Sequence, residues 1–425
     1  MNRRELFAAG TGALIATTPA YASELLRPSA QGGKQSRMIS ASDFGAVGDG
    51  VADDTAALQA ALTATFDGAL KDKGGRVLVI PPGAYRVTRT LKVNLTKDGK
   101  RQPTRQTVIC GQGAVLLSNI TDGSDVFEIV SHATARYLLI DGLTIQGKGG
   151  EGHGLSLDCN REQSYIYNFC LRDLVVQGCG GDGLRLIGNI FEGQIFNSYF
   201  RDNKGNGTTM GHGPDGGVLS AVHVFGCVFG GNGGQGAALI NAASDVSFHG
   251  CYFLQNGAFG VSAKSGCTLL SNCGFENNHM KADGFADGDA GVQLQVFGTL
   301  VGCTAYSIHN QTHLLRGFIT NHLVMVGCTA AGGGKAKRAR LAKLQSNGRG
   351  KATIIGCQGG VDTVGAFDAA QLGGDDAGAR FGAEWNSASL VRLGKYALWV
   401  DRAGRLRIKQ GDPLSDGDGS AVGTV

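Results

Sequence analysis

Phe225-Gly226-Cys227-Val228-Phe229 returns as His249-Gly250-Cys251-Tyr252-Phe253, then as Asn272-Cys273-Gly274-Phe275 and Gly302-Cys303-Thr304. Gly327-Cys328-Thr329 and Gly356-Cys357-Gln358 continue the series at similar intervals. Asp141-Gly142-Leu143-Thr144, Arg172-Asp173-Leu174-Val175 and Asn197-Ser198-Tyr199-Phe200 extend the same frame upstream. After many of these comes a Gly/Asn turn and a second short apolar strand, as in Gly183-Leu184-Arg185-Leu186 and Gly260-Val261-Ser262-Ala263. A pattern that comes round every twenty-odd to thirty positions, built from short strands and Gly/Asn corners, fits one coil of a parallel β-helix. Gly and Asn suit the corners because both tolerate left-handed backbone angles. The recurring leucine consensus of leucine-rich repeats is absent. Nine coils can be counted from residue 142 to residue 357, a stack on the order of 40 Å long at about 4.8 Å per strand. One coil buries no core alone; stacked coils share one.

The cysteines follow from this frame. Equivalent positions on successive coils form a column of small apolar groups. Parallel side chains about 4.8 Å apart do not match the closer approach that a disulfide prefers, so free buried thiols are expected. The total of 11 cysteines is odd, and no C-x-x-C pair suggests zinc.

Composition agrees with a large folded chain. Of 425 residues 70 are Gly, about twice the usual share, while 42% are apolar and 17% charged. No G-X-Y period points to collagen. A net charge of +4 argues against nucleic-acid binding by bulk charge.

Met1-Asn2-Arg3-Arg4-Glu5-Leu6-Phe7 precedes a weakly apolar stretch, and Ala20-Tyr21-Ala22 supplies a small-x-small cleavage pattern. The twin arginine resembles a bacterial Tat signal, with a Sec signal or an uncleaved anchor as alternatives. No other segment reaches the length of a membrane span. A periplasmic or secreted protein is expected.

Asp53 or Asp54 can cap a helix opened by Thr55, with Leu58, Ala61, Leu62, Phe66 and Leu70 on one face. Gly74-Gly75 ends it, and Arg76–Ile80 reads as a strand. Such a helix would cover the open end of the β-helix and block strand addition there. Asp43-Phe44-Gly45-Ala46-Val47-Gly48-Asp49-Gly50 through Thr55, with Gly74-Gly75-Arg76-Val77 and Pro81-Pro82-Gly83-Ala84-Tyr85, resembles the opening of the pectate-lyase/rhamnogalacturonase superfamily. The resemblance implies an all-β, right-handed parallel β-helix with an N-terminal capping α-helix. It also implies an exported protein that cleaves or modifies an acidic, uronate-containing polysaccharide. It does not separate hydrolase, lyase and epimerase, because the shared opening is structural. Asp49, Asp53 and Asp54 are expected to serve capping. The resulting organisation is a signal over 1–22, a linker over 23–37, the β-helix with its cap over 38–360, and a tail with a β-hairpin over 361–425.

Polygalacturonase-like hydrolases use carboxylates on adjacent coils, and paired carboxylates can protonate a leaving oxygen and activate water. Asp182 and Asp202 stand about one coil apart in sequence and are candidates on neighbouring coils. Gly211-His212-Gly213 follows too soon for the next coil, and Arg407-Ile408-Lys409 matches the family's Arg-x-Lys only by letters. The glycine-rich stretch 201–217 reads as an enlarged loop. It offers His212 as a base, Asp215 as a second carboxylate and Lys204 as a substrate contact. His153 and Arg185 are further substrate-binding candidates on the same side. No cofactor is required. Calcium is the ion that Asp283, Asp287 and Asp289 could gather, without EF-hand spacing. Lys335, Lys337, Arg338, Arg340 and Lys343 form a basic run read as a loop between coils.

Tyr396–Asp401 and Gly404–Lys409 read as a hairpin. The Asp/Gly-rich end from Ser415 looks like closing tails of tailspike-like chains, which would make a homotrimer the alternative to a monomer. A non-catalytic glycan-binding or surface-structural β-helix is the competing function.

Overall fold

The computed structural model describes residues 37–424 except 72–74, 96–106, 132–133, 160–163, 214–215, 242, 265–267, 281–289, 308–312, 333–339, 346–350, 365–367, 373–390, 394–395, 402, 404 and 411–416. The expected signal, Asp215, the Asp283/Asp287/Asp289 group, Lys335, Lys337 and Arg338 lie outside the described residues. Among the described residues no helix is long and apolar enough to cross a membrane.

The chain winds as a right-handed parallel β-helix with three faces. Hydrogen bonds link 24 strands into a sheet that wraps two faces, and 11 into a sheet that forms the third. Face A holds Leu155–Cys159, Leu184–Gly188, Thr208–Gly211, Ala237–Ile240 and Val261–Ala263, paired parallel in register. Face B holds Ile190–Phe196, Leu219–Phe225 and Ala243–His249. Face C runs from Asp49–Asp53 to Thr329–Gly332. The strands Ala290–Val301 and His313–Val326 cross from face A to face B, and a register shift between Val296 and Gly298 turns the corner.

The corner between faces B and C explains the repeat. Gly142, Asp173, Asn197, Gly226, Gly250, Asn272, Gly302, Gly327 and Gly356 occupy it in succession, with φ between 44° and 74°. Side chains that tolerate this region therefore recur once per coil. The residue after each corner turns inward, which places Cys227, Cys251, Cys273, Cys303, Cys328 and Cys357 in one buried column. All ten described cysteines are free thiols. Cys251 Sγ donates to Val224 O of the preceding coil at 3.5 Å, and Cys273 to Phe248 O at 3.4 Å. Contact with the preceding thiol, reinforced by burial, pushes Cys251, Cys273, Cys303 and Cys328 up to about 12.

Two further columns fill the core. Phe200, Phe229, Phe253 and Phe275 stack at centroid distances of 5.3, 4.9 and 5.0 Å, close to the strand spacing. Asn203, Asn232, Asn256 and Asn278 form a buried ladder at the corner between faces C and A. Each side-chain amide donates to the next Oδ1 at 2.9 to 3.0 Å and each Oδ1 also accepts the preceding asparagine's backbone N–H.

The helix Thr55–Lys71 buries Leu58, Ala61, Leu62 and Phe66 against the first coils. Asp53 Oδ1 accepts Thr55 N at 3.1 Å and caps it. Asp54 accepts Val47 N and Gly48 N, and Asp49 accepts Val51 N and Ala52 N. All three carboxylates are thus occupied by the local backbone.

Parallel pairing continues past residue 360. Val361 lies opposite Ala342 and Asp368 opposite Lys351, so the stack reaches Leu372. The cysteine column ends before the strands do, which makes the β-helix look shorter in sequence. The expected hairpin is present, with Tyr396 opposite Gln410 and Val400 opposite Leu406. It belongs to an antiparallel sheet of four strands whose outer members are Val391–Leu393 and Ser420–Thr424. The end segment thus pairs within its own chain.

Candidate functional site

A second ladder runs along the corner that leads into face A. Asp125, His153, Asp182, Asn206 and Gln235 each stand two residues before a face A strand. Asp125 Oδ1 accepts His153 N at 2.7 Å, and His153 Nδ1 accepts Asp182 N at 2.9 Å. Asp182 Oδ1 accepts Asn206 N at 2.7 Å, and Asn206 Oδ1 accepts Gln235 N at 2.7 Å. Each side chain therefore satisfies a backbone donor on the following coil. The two aspartates also hold hydroxyls three residues into that coil: Ser156 Oγ donates to Asp125, and Thr209 Oγ1 to Asp182 Oδ2 at 2.6 Å. The glycine that follows is forced by crowding. A Cβ on Gly183 would lie 2.7 Å from Asn203 Nδ2 and 2.8 Å from Gly207 O.

Asp182 is consequently a buried rung rather than an open carboxylate, with 8% exposure. His153 borders face A, its side chain 29% exposed and its Nδ1 3.7 Å from Asp182 Oδ2. Because Nδ1 accepts the Asp182 amide, the neutral imidazole carries its proton on Nε2 and can offer it as a donor. Arg185 points outward from face A and pairs with Asp158 at 3.8 Å; both side chains are about one-third exposed. Asp158 sits on the strand before, opposite Ile187.

His212 stands at the other edge of this face, just after Thr208–Gly211. Its Nδ1 lies 2.8 Å from Gly213 O. A carbonyl only accepts, so Nδ1 carries the proton and Nε2 keeps its lone pair. His153 and His212 are thereby set as opposite tautomers. From the pairing of Arg185 with Thr209, His212 is one rung and three residues from Arg185, roughly 11 Å.

The remaining candidates lie elsewhere. Asp202 occupies the left-handed corner at the end of face C, with φ 56° and an ion pair to Arg201 at 3.8 Å. It stacks beneath Gly231 and above Gly178, not beside Asp182. Asp182 and Asp202 belong to opposite ends of the turn from face C to face A, Asp202 aligning with Gly178 and Asp182 with Asn206, so these carboxylates are not stacked as neighbouring rungs. Lys204 Nζ donates to Gly149 O at 2.7 Å, strapping a corner two coils away. The stretch 201–217 is not one loop, since Thr208–Gly211 is a face A strand. Arg340 and Lys343, expected in a loop, lie on the strand Arg340–Gln345. Arg407 has no site role in this geometry: it is buried against Asp401, and Lys409 pairs with Asp418.

Sequence reading missed Asp125, Asp158 and Thr209. The recurring polar-Gly-apolar triplet was a usable signal: His153-Gly154-Leu155, Asp182-Gly183-Leu184, Asn206-Gly207-Thr208 and Gln235-Gly236-Ala237 mark the corner.

A family model described as rhamnogalacturonase A/epimerase, pectate lyase-like matches residues 38–285, more than half of the chain. The chain belongs to this family. A second family model, capsule depolymerase, matches residues 351–424. Among curated relatives, mannuronan C5-epimerase AlgE2 of Azotobacter vinelandii is 29% identical over 274 residues, covering 52% of this chain and 25% of that protein. AlgE5 of the same organism is 29% identical over 266 residues, with the same coverages. The chain thus spans about a quarter of the length of these relatives. Among solved structures, ORF18 of Geobacillus virus E2 superposes with TM-score 0.55 at 18% identity, covering 91% of this chain and 76% of that one. The enzymatically active domain of tailspike protein 2 from bacteriophage CBA120 gives 0.53 at 12% identity, covering 76% and 48%. At these identities the two structures share the fold.

Proposed function

We propose that this protein acts on an acidic, uronate-containing polysaccharide by removing the proton beside the uronate carboxyl. The observation that carries this reading is the pair of imidazoles held in opposite tautomers on either edge of the face that presents Arg185. Arg185 would neutralise the sugar carboxylate, which stabilises the charge that develops as the neighbouring C–H bond breaks. His212 Nε2 would take that proton as general base. His153 Nε2–H would donate to a sugar oxygen. The electron pair left on carbon either expels the oxygen at the adjacent position, which is β-elimination, or receives a proton from the opposite side, which is epimerisation. The mannuronan epimerase relatives favour the second outcome. Hydrolysis by two carboxylates is the weaker reading, because Asp182 is engaged by Asn206 N and Thr209 Oγ1 and Asp202 aligns with Gly178 at the other end of the turn.

The same reading makes the protein an exported one, with the segment 1–22 as its signal and calcium as an optional ion. A monomer and a homotrimer are both compatible with it. A non-catalytic glycan-binding role is the second reading, favoured by the full engagement of Asp182 in the corner ladder.

The test is incubation of the purified chain with alginate, pectic and bacterial acidic polysaccharides in deuterated water, with and without calcium. Deuterium entering beside the carboxyl, which marks epimerisation, or an unsaturated product, which marks elimination, is the expected result. New reducing ends without either would overturn proton abstraction, and saturable binding with neither exchange nor an unsaturated product would favour the second reading.

A further inference from the structure

The outward column of face A that carries Arg185 continues through Thr209, Ala238 and Ser262 to Gln293, Arg316 and Lys343. Thr209, Ala238 and Ser262 alternate with core residues and so face outward, yet they are only 8%, 4% and 2% exposed. They are short and well covered, so no tall outward side chain stands between Arg185 and Gln293 in this column. At its carboxyl-terminal end the column borders a cleft of about 400 Å³. Its outward lining is Gln293, Gln295, Arg316, Phe318, Lys343 and Gln345. Phe318 is 42% exposed although its neighbours Gly317 and Ile319 pack inward. Two cations, three carboxamides and one open aromatic ring match an acidic sugar. The cations suit its carboxylate, the amides its hydroxyls and the ring its C–H face.

We propose that this cleft is a distal subsite for a uronate unit of the polysaccharide whose reacting unit lies near Arg185. The proposal rests on the acidic-polysaccharide reading above. Arg316 is five rungs from Arg185, roughly 24 Å. A chain that spans this distance engages both ends of the column, and the second contact forms at high effective concentration. Short oligomers reach only one end. The subsite therefore selects for chain length and sets the register in which the polymer lies.

The test measures binding and deuterium exchange for oligouronates of graded length, from dimers to chains longer than the span. Arg316→Ala, Phe318→Ala and the unaltered protein are compared, with thermal unfolding as the check that the outward substitutions leave the fold intact. In the unaltered protein affinity rises once the oligomer spans the column from Arg185 to Arg316. Each variant loses that rise, by about tenfold for Arg316→Ala, while dimers and trimers bind and exchange as before. If both variants keep the full length dependence, or if length adds nothing in the unaltered protein, the distal subsite falls and the reading at Arg185 stands. If the unaltered protein binds no oligouronate of any length, the acidic-polysaccharide reading falls and the subsite with it.

Discussion

Asn203 donates its side-chain amide to Asn232 Oδ1 at 3.0 Å, and Asn232 passes its own amide to Asn256 at the same distance. Asn232 also donates to Phe200 O and accepts the backbone N–H of Asn203. One buried side chain thus closes four hydrogen-bonding groups on neighbouring coils. Asn232→Ala removes one buried partner from each of them, while Asn256 Oδ1 keeps the backbone N–H of residue 232 and Asn203 Nδ2 keeps Val176 O, with an expected loss of about 2–4 kcal/mol of unfolding free energy. Chemical denaturation checks it. A loss below that of an ordinary surface substitution would mean that water replaces the rung.

The thiol column predicts an alkaline weakness. Unfolded thiols ionise from their ordinary value of 9.0, while Cys251, Cys273, Cys303 and Cys328 hold their protons to about 12 in the fold. Between these values the unfolded state has released protons that the folded state retains. Stability is therefore complete below pH 9.0 and falls as pH rises toward 12, each thiol adding about 1.4 kcal/mol per pH unit to the slope. Replacing these four cysteines by alanine should flatten the slope in denaturation series. At neutral pH the buried column thiols of the native protein should resist thiol reagents until it unfolds, while the half-buried Cys110 and Cys170 react sooner.

His212→Gln should reduce deuterium exchange by on the order of 10²–10⁴-fold while glycan binding persists. Asp202→Asn should leave exchange unchanged, since Asp202 sits at the face C corner. Equal loss in both variants would remove His212 from the role of base.

The tail sheet should loosen first in acid. Arg407 beside Asp401 holds its carboxyl well below the usual carboxylate range, helped by the backbone N–H groups of Arg405 and Ala403. A depressed carboxyl contributes stability that is present above its unfolded value of 3.8 and is lost as pH falls below it. Hydrogen exchange by mass spectrometry should show the strands Tyr396–Val400 and Arg405–Gln410 opening before the coils as pH falls below 3.8. Asp401→Asn should show that opening already at neutral pH.

Much of this was legible in the chain. Gly226, Gly250 and Gly327 announce the left-handed corner because few residues accept it, and the cysteines behind them reveal an inward column. Asp53, Thr55 and the spacing of Leu58, Leu62 and Phe66 give the capping helix. Other features are set by register, which sequence spacing alone does not resolve. Asp182 and Asp202 are separated by nearly one coil, yet they fall at opposite ends of the turn from face C to face A, and only strand pairing assigns Asp182 to Asn206 and Asp202 to Gly178. Thr208–Gly211 lacks an apolar alternation and so passes for loop. Asn203, Asn232, Asn256 and Asn278 recur at the coil period, but they stand among glycine-rich turns where an asparagine is ordinarily solvated.

The two ladders face opposite ways. At the corner into face A, Asp125, His153, Asp182 and Asn206 each offer an acceptor that the next coil fills. In the core, Asn232 and Asn256 reach back to take the N–H of the coil before. A chain emerging from its amino end therefore presents a waiting socket at each step, and the coil that enters it latches what was already laid down. Each coil added at the carboxyl-terminal end thus completes bonds in both ladders.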